Sequence, residues 1–464
     1  MKKLISILFI LSISFAQQTW TKTYGGLNDD WGYSVRQSSD GGYIVTGYTD
    51  SFGAGAADVY LIKTDSTGDT LWTRTYGGTN DDDSRSVQQT QDGGYIITGT
   101  TKSFGVGNRD LWLIRTNASG DTLWTRTYGG SDDDWGYFVR QTSDGGYIVT
   151  GYTYSFGAGA ADVYLIKTDS TGDTLWTRTY GGSGNDEGFS VQQTSDGGYI
   201  IAGYTGSFGA GYEDVYLVKT DSLGDTLWTK TYGGPSYDEG CFVQQTSDGG
   251  YVVAGYTDSF GAGIRDVYLV KTDSLGDTLW TKTYGGVYYD VGCSVQQTSD
   301  GGYVVVGTTM SFGSVAYNVY LIKTNAFGDT LWTKTYGGVS YDEGCFVQQA
   351  LDGGYIVAGK TSSFGAGNND VYLIKTDANG NAEVEEEKSS APKIEVRLKA
   401  IPNPFTTFAR IPGYEKEDFA LSDISGRMVG KYKGAKIGDK LSAGVYFVIP
   451  QNKNIIPLRI VKIK

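Results

Sequence analysis

Aspartates recur at a fixed spacing along most of the chain and are the first candidates for chemistry. They occur at Asp30, Asp82, Asp134, Asp186, Asp238, Asp290 and Asp342, each 52 residues from the next. If every copy lay at the same place in a ring, seven carboxylates would surround one mouth and attract Ca²⁺ or another hard cation. Alternatively, each short acidic side chain accepts hydrogen bonds from the backbone of its own turn. The repetition favours the second interpretation, because a residue present in every unit usually serves that unit's geometry.

The residues around these aspartates vary most between copies, so a ligand or substrate site is expected there. The candidates are Asp29, Trp31, Asp133 and Trp135 in acidic copies, and Tyr237, Tyr289 and Tyr341 in tyrosine-bearing copies. An acidic sector beside an aromatic sector suits a carbohydrate or a cationic partner. Two such carboxylates would also suffice for glycoside hydrolysis. The chain has no His, which excludes Ser-His-Asp and Cys-His nucleophiles and imidazole metal sites. We therefore predict no catalytic residue and no cofactor other than calcium.

Three cysteines follow the same spacing, at Cys241, Cys293 and Cys345. Equivalent positions in successive units are poorly placed for a disulfide, and the number is odd. We predict that they are buried and act as small hydrophobic residues.

Charge and proline content divide the chain into two regions. Of its 464 residues, 38 are Lys or Arg and 52 are Asp or Glu, for a net charge of −14. Residues 391–464 hold 14 basic and 6 acidic side chains and six of the seven prolines, whereas the rest holds 24 basic and 46 acidic side chains. Such a shift marks a domain boundary. The acidic larger region argues against a nucleic-acid partner, which requires a positive surface.

The N-terminus has the pattern of a secretory signal peptide. Lys2 and Lys3 precede an apolar run over residues 4–15, and cleavage is predicted between Ala16 and Gln17. No other segment reaches the roughly 18 apolar residues of a membrane span. We therefore expect residues 1–16 to be removed and the mature chain to pass through the periplasm without a transmembrane segment.

A 52-residue repeat organises residues 17–381. Thr-Tyr-Gly-Gly and Asp-Gly-Gly-Tyr each occur seven times, and every copy contains four short apolar or alternating runs separated by Gly-rich turns. In the first copy these runs are residues 33–39, 43–49, 59–64 and 70–76. Hairpin turns between such runs, without a helical period, indicate four antiparallel strands per unit. Repeats of this length predict a propeller or a solenoid.

The two ends of the repeat array predict a closed ring. Residues 19–24 match the fourth strand of a unit, and the array ends after a third strand at residues 371–376. Pairing these fragments removes the open edge that a linear array would have to cap. We predict an all-β chain with a seven-bladed β-propeller whose N-terminal strand completes the last blade.

Three recurring segments give the repeat a family resemblance. They are Tyr-Gly-Gly before an acidic loop, Gly-Tyr-Ile-Val-Thr-Gly-Tyr-Thr, and Asp-Val-Tyr-Leu-Ile-Lys-Thr-Asp. With small substitutions in each unit, they resemble the bacterial SBBP-type β-propeller repeat. That resemblance implies a secreted or surface propeller and no defined reaction.

Residues 393–464, after an acidic linker at 382–392, read as a small β-domain. The residues that suggest its family are Pro402, Asn403, Pro404, Phe405, Gly426, Arg427, Gly444 and Tyr446. In this order at the C-terminus, they resemble the type A sorting domain of the type IX secretion system. The resemblance implies an immunoglobulin-like β-sandwich, type IX machinery as a partner, and export followed by release or surface attachment. A plain immunoglobulin-like accessory domain is the alternative.

These observations predict a secreted or cell-surface propeller that acts as a non-enzymatic interaction module for a carbohydrate or a protein. Two alternatives stay open. One is a carbohydrate-active enzyme that uses loop carboxylates, and the other is a purely structural surface or adhesin repeat protein.

Overall fold

The structure is a computed structural model that describes residues 18–314, 316–383, 402–412, 414–416, 418–423, 427–450 and 458–464. The predicted cleavage site at Ala16 and Gln17, most of the linker at 382–392, and Gly426 lie outside the described residues. Two compact units are present, Met1–Glu387 and Lys388–Lys464. In the described part of the chain, no helix is long and apolar enough to cross a membrane.

The first unit consists of seven four-stranded antiparallel sheets, the blades. Their first strands are β2 (Asp30–Gln37), β6 (Asp82–Gln89), β10 (Asp134–Gln141), β14 (Asp186–Gln193), β18 (Asp238–Gln245), β22 (Asp290–Gln297) and β26 (Asp342–Gln349). Their second strands are β3 (Tyr43–Thr49), β7 (Tyr95–Thr101), β11 (Tyr147–Thr153), β15 (Tyr199–Thr205), β19 (Tyr251–Thr257), β23 (Tyr303–Thr309) and β27 (Tyr355–Thr361). Their third strands are β4 (Asp58–Thr64), β8 (Asp110–Thr116), β12 (Asp162–Thr168), β16 (Asp214–Thr220), β20 (Asp266–Thr272), β24 (Asn318–Thr324) and β28 (Asp370–Thr376). Their fourth strands are β5 (Thr70–Tyr76), β9 (Thr122–Tyr128), β13 (Thr174–Tyr180), β17 (Thr226–Tyr232), β21 (Thr278–Tyr284), β25 (Thr330–Tyr336) and, for blade 7, β1 (Trp20–Tyr24).

The blades form a closed ring around a central channel. Each first strand contacts the first strands of both neighbouring blades, and β2 of blade 1 contacts β26 and β27 of blade 7. Side-chain burial decreases from the third to the fourth strand of a blade. The third strands are buried throughout, whereas the fourth strands are largely exposed or half-buried. This confirms the prediction of an all-β propeller-like repeat array. Blade 7 has the strand order β1-β28-β27-β26, which matches the predicted closure.

Each first strand begins earlier than the run of residues 33–39 and its equivalents predicted. Asp30 pairs with Thr49 and Trp31 with Tyr48, so the repeated aspartate is the first residue of the strand and does not precede it. Every first strand therefore runs from one face of the ring to the other. We call the face with residues 25–29, 50–57 and their equivalents the loop face, and the face with residues 38–42, 65–69 and their equivalents the turn face.

Packing between blades uses one aromatic contact repeated seven times. Trp20 of the closing strand meets Tyr43 of blade 1 edge to face, with ring centroids 5.8 Å apart. The hydroxyl of Tyr24 donates to the Gly68 carbonyl oxygen over 2.6 Å. Gly68 has a φ of +82°, and a Cβ there would meet the Trp20 ring at 2.9 Å, so glycine is needed for both the turn and the contact.

The described part of the second unit forms one antiparallel sheet of order β30-β29-β31-β32. Its strands are β29 (Asp418–Asp423), β30 (Met428–Lys433), β31 (Gly444–Pro450) and β32 (Leu458–Lys462). Phe419 and Leu421 of β29 and Ile460 of β32 are buried in one cluster with Phe405. The second sheet of the expected β-sandwich stays a prediction.

Trp20→Ala should lower the free energy of unfolding by about 3–5 kcal/mol, because it removes a buried indole from the contact that closes the ring. Denaturant unfolding measures the change. The control is Leu71→Ala in the outer strand of blade 1, where the side chain is 57% exposed and the loss should stay within about 0.5 kcal/mol. Equal losses in the two variants would contradict a special role for the closing strand.

Candidate functional site

The first strand of every blade has one extra residue at the channel. In blade 1, Gly32 pairs with Gly47 and Ser34 with Thr46, which leaves Tyr33 without a partner on β3. The other six blades have the same bulge. A β-bulge redirects a side chain and is frequent beside functional sites. The bulge residues are Tyr33, Arg85, Tyr137, Phe189, Cys241, Cys293 and Cys345, and all seven line one channel cavity of about 340 Å³.

This loop-face cavity is asymmetric although the blades are nearly identical. The Arg85 guanidinium lies 4.1 Å from the ring centroid of Tyr33 and 5.7 Å from that of Tyr137, within cation–π range. It also donates to the carboxylate of Asp83 over 3.2 Å. Tyr137 and Phe189 meet edge to face at 4.9 Å. Blades 1–4 thus contribute a fixed aromatic and cationic wall.

Blades 5–7 contribute the three cysteines, all of them free. They were predicted to be buried, and the structure shows them as only partly buried, because the bulge turns each side chain toward the cavity. Desolvation nevertheless raises the pKa of Cys241, Cys293 and Cys345 above the usual value of a thiol. These side chains are therefore protonated at neutral pH and are weak nucleophiles.

Two glutamates of neighbouring blades, of which Glu239 lines this cavity, are the carboxylates best suited to proton transfer. Burial raises the pKa of Glu187 and of Glu239 to about 7, and their mutual repulsion adds to the effect on Glu187. Glu239 accepts a hydrogen bond from Tyr256, and its proximity to Glu213 raises its pKa further. A carboxyl group with a pKa near neutrality can donate or accept a proton under physiological conditions.

Glu187 and Glu239 were not among the site residues predicted from the sequence. Trp31 and Trp135 occupy the equivalent place in blades 1 and 3, so a glutamate at an aromatic position was the available signal. In blade 7 the equivalent Glu343 pairs with Lys360 over 3.2 Å. Depending on the blade, the residue at this position packs against aromatic rings, forms an ion pair or is an acid with a raised pKa.

The predicted acidic candidates connect neighbouring blades and do not converge. The side chain of Asn369 in blade 7 donates a hydrogen bond to the Asp29 carboxylate over 2.7 Å. The backbone of Asp133 forms an isolated parallel β-bridge with Arg109 of blade 2. A polar pocket of about 250 Å³ lies between blades 1 and 2, lined by Asp50, Asp81, Asp83, Lys102 and Arg109 among others. Within it, burial and the nearby Asp29 raise the pKa of Asp50.

The two predicted tryptophans are half-buried, and each has a cation over its ring. Trp31 stacks on Tyr48 at 5.7 Å and has the Lys360 ammonium 3.3 Å from its centroid. Trp135 stacks on Tyr152, with the Arg109 guanidinium 4.4 Å from its centroid. Both indoles are therefore already engaged by neighbouring side chains of the protein.

The predicted tyrosines are exposed at the loop face, and two of them are paired. Tyr237 stacks on Tyr212 with centroids 5.3 Å apart and planes 13° apart. Tyr341 lies against Tyr317 at 5.5 Å. Tyr289 is 39% exposed and has no such aromatic partner among the described residues. The partners Tyr212 and Tyr317 were missed because they belong to the loop of the preceding blade, and only the ring brings them to the predicted residues.

The seven repeated aspartates are fully buried, one in each blade. Asp30 accepts from the Gly26 amide and the Ser51 hydroxyl, each over 2.7 Å, and so connects the two loops of its own blade. Asp342 makes the same two bonds with Gly338 and Ser363. Among the described residues, no three His, Cys, Asp or Glu side chains are placed to hold a metal ion. These contacts indicate that each aspartate holds two loops of the blade together.

The described residues of the tail motif lie on or beside the sheet of the second unit. Phe405 is buried, and the Asn403 side-chain oxygen accepts from the Val461 amide over 2.8 Å. Arg427 donates to Asp423 over 3.0 Å, and the Tyr446 hydroxyl donates to the Ser442 carbonyl over 3.0 Å. Gly444 begins β31, while Pro402 and Pro404 are exposed.

Seven four-stranded sheets in a closed ring define a β-propeller repeat protein. No protein-family profile matches the chain. Among curated proteins, it is similar to the Regulatory protein FlaEY of Caulobacter vibrioides, with 29% identity over 175 residues. That match covers 32% of this chain and only 18% of the curated relative's length.

Several solved structures also resemble the chain. The WD40 domain of Pan2 from Neurospora crassa has a TM-score of 0.46 and 10% identity over 76% of this chain and 91% of that one. Sqt1 from Chaetomium thermophilum has a TM-score of 0.42 and 11% identity over 78% of this chain and 100% of that one. YCF48 bound to D1 peptide has a TM-score of 0.41 and 9% identity over 82% and 100%, respectively.

The double variant Glu187→Gln, Glu239→Gln should flatten the pH dependence of stability. In the folded chain these groups have pKa values of about 7, against about 4.3 unfolded, so they stabilise the fold below pH 4.3. That contribution is lost as the pH rises to 7. Urea unfolding at several pH values should show the variant gaining relative to wild type between about pH 4.3 and 7.

The matched control is Glu343→Gln, which leaves the buried Lys360 without its carboxylate. It should destabilise the fold at neutral pH, opposite in sign to the double variant. A double variant that follows the wild-type pH profile would contradict the raised pKa values.

Proposed function

We propose that the protein is a secreted or cell-surface β-propeller that acts as a non-enzymatic interaction module and binds its ligand at the loop face. The observation that carries this proposal is the concentration of exposed tyrosine rings on blades 4–7. Tyr212 is 70% exposed, Tyr341 55% and Tyr288 54%. Exposed apolar and aromatic surface on a rigid scaffold is typical of interaction sites.

The chemistry of this face favours a carbohydrate ligand. The near-parallel rings of Tyr212 and Tyr237 offer a flat apolar surface of the kind on which a sugar ring can stack. Partly exposed carboxylates of the acidic sector, such as Asp50, are acceptors for sugar hydroxyls. The same aromatic and acidic groups would also suit a cationic protein surface, and the binding experiment includes that alternative.

Tyr212→Ala, Tyr237→Ala should weaken glycan binding by about tenfold or more, because it removes a stacked pair from the centre of the proposed site. Binding is measured on a polysaccharide and glycan array and by calorimetry with any ligand found. The control is Leu227→Ala, Leu279→Ala on the outer strands, where both side chains are exposed and away from the loop face. Binding of proteins but not glycans would replace the ligand class, and no binding at all would favour a purely structural repeat protein.

A carbohydrate-active enzyme is the second candidate, and the raised pKa values of Glu187 and Glu239 favour it. In this alternative, Glu187 and Glu239 would take the role that was predicted for the loop aspartates Asp29 and Asp133. An enzyme would release reducing ends from a polysaccharide and would lose turnover in Glu187→Gln or Glu239→Gln. Turnover by the wild-type chain would contradict the non-enzymatic proposal.

For localisation, we propose export by the signal peptide and by the C-terminal unit as a type IX sorting domain of the SBBP-type propeller. The sequence resemblance supports this, and so does the compact core around Phe405 in the second unit. Removal of residues 393–464 should leave the protein in the periplasm, as cell fractionation would show. The reciprocal control joins these residues to an unrelated periplasmic reporter, which should then leave the cell. Unchanged secretion of the truncated chain would disprove the sorting role.

A further inference from the structure

Near the turn face, one channel position shows how the blades are connected and where two of them depart from the rule. The position is occupied by Arg36, Gln88, Arg140, Gln192, Gln244, Gln296 and Gln348. Each of the five glutamines accepts a hydrogen bond from a backbone amide of the next blade, over 2.6–2.9 Å. Glutamine at this position therefore stabilises the junction between two blades.

Arg36 and Arg140 cannot make that bond, because a guanidinium has no acceptor. The backbone amides of Gln89 and Gln193 therefore lack the partner that their equivalents have in the other blades. The Nε and Nη2 atoms of Arg36 are shielded from solvent and have no hydrogen-bond partner among the described residues. Burial lowers the pKa of both arginines, and for Arg36 the proximity of Arg140 lowers it further.

Both arginines line one small cavity at the turn-face end of the channel, with a volume of about 120 Å³. Gln192, Gln244 and Gln296 line it as well and add amide groups. The arginine side chains are partly exposed to this cavity although protein surrounds them. Both guanidinium groups make cation–π contacts. The Arg36 guanidinium lies 4.2 Å from the ring centroid of Phe346, and that of Arg140 lies 4.8 Å from the ring centroid of Phe138.

Three phenylalanines lie between this cavity and the loop-face cavity. Phe242 meets Phe138 edge to face at 5.4 Å and Phe346 at 5.6 Å. The equivalent residue is Ser in the other four blades. At this level of the channel, three large and four small side chains therefore surround the axis. Phe242 and Phe346 line both cavities. The turn-face cavity is thus a chamber distinct from the proposed ligand site, with two positive charges in its wall.

We propose that this turn-face cavity binds a small doubly charged oxyanion, held between the guanidinium groups of Arg36 and Arg140. Arginine forms paired, charge-assisted hydrogen bonds with phosphate and carboxylate oxygens. Two uncompensated charges in a confined space destabilise the empty fold, and the repeat itself shows that glutamine is the stabilising alternative. Arginine at two of seven positions is therefore explained by a bound anion and not by blade structure. The site is independent of the loop-face ligand.

The test measures anion binding by the full chain, using calorimetry and thermal unfolding with inorganic phosphate and with succinate. Sodium chloride at matched ionic strength corrects for screening. Wild type should show saturable binding of at least one anion, with a melting temperature that rises with ligand concentration. Phosphate binding without succinate binding would assign a tetrahedral oxyanion, and the reverse would assign a dicarboxylate.

Arg36→Gln, Arg140→Gln restores the residue found in the other five blades. It should weaken anion binding by about tenfold or more, because it removes charge-assisted hydrogen bonds. It should also raise the melting temperature without ligand. The charge-matched control is Arg126→Gln, Arg178→Gln on the exposed outer strands, which should bind like wild type. If the double variant does not fold, Arg36→Gln alone serves the same comparison.

Two results would overturn the proposal. One is the absence of saturable binding of either anion to the wild-type chain. The other is an equal response of the wild type and the Arg36→Gln, Arg140→Gln variant, since binding would then not involve the channel arginines.

Discussion

The antiparallel pairing of Trp20–Tyr24 with the last third strand is the contact on which the rest of the structure depends. Trp20 pairs with Lys375 and Tyr24 with Val371, which joins the two ends of the repeat array in one sheet. Without it, blade 7 would expose a buried strand edge, and the ring would have an open seam. Because the channel is lined by one strand from every blade, both cavities exist only while this pairing holds.

Within the closed ring, the residues that all blades share stabilise each blade. The residues that differ between blades face the channel. A buried basic residue of each third strand illustrates the first class. Lys63 pairs with Asp40 over 2.8 Å, and five other blades repeat this pair with lysine. Blade 2 has arginine in the same role, as Arg115 contacts both carboxylate oxygens of Asp92. The bulge residues, the Ser or Phe level and the Gln or Arg level belong to the second class. Binding properties in a repeat ring are expected at such departures, because identical blades can only give a symmetric surface.

The shared residues and the channel residues also differ in how their charges are compensated. Charged side chains inside the blades have hydrogen-bond or ion-pair partners, as in the pair of Lys63 with Asp40 and the bonds of Asp30 to Gly26 and Ser51. Around the channel, Arg36 and Arg140 repel each other, and Glu187 and Glu239 do so as well. Uncompensated buried charge lowers stability, and groups with shifted pKa values cluster at functional sites. Charged side chains thus line both channel cavities. Arg85 and Glu239 line the loop-face cavity, and Arg36 and Arg140 line the turn-face cavity. The rings of Phe138, Phe242 and Phe346 lie between the two cavities.

The amino-acid sequence by itself determined the blades and their closure. Strand runs such as residues 43–49 and turns such as Asp40-Gly41-Gly42 depend on neighbours within a few residues, and the 52-residue period repeats them in register. Only the tertiary structure decided which side chains meet at the channel. The bulge in blade 5 turns Cys241 toward the loop-face cavity. Ring closure brings Tyr212 against Tyr237, and it brings Arg36 and Arg140 to one cavity. These contacts escape sequence reasoning because a bulge changes the direction of a side chain without changing local composition, and because ring closure brings together residues from different repeats.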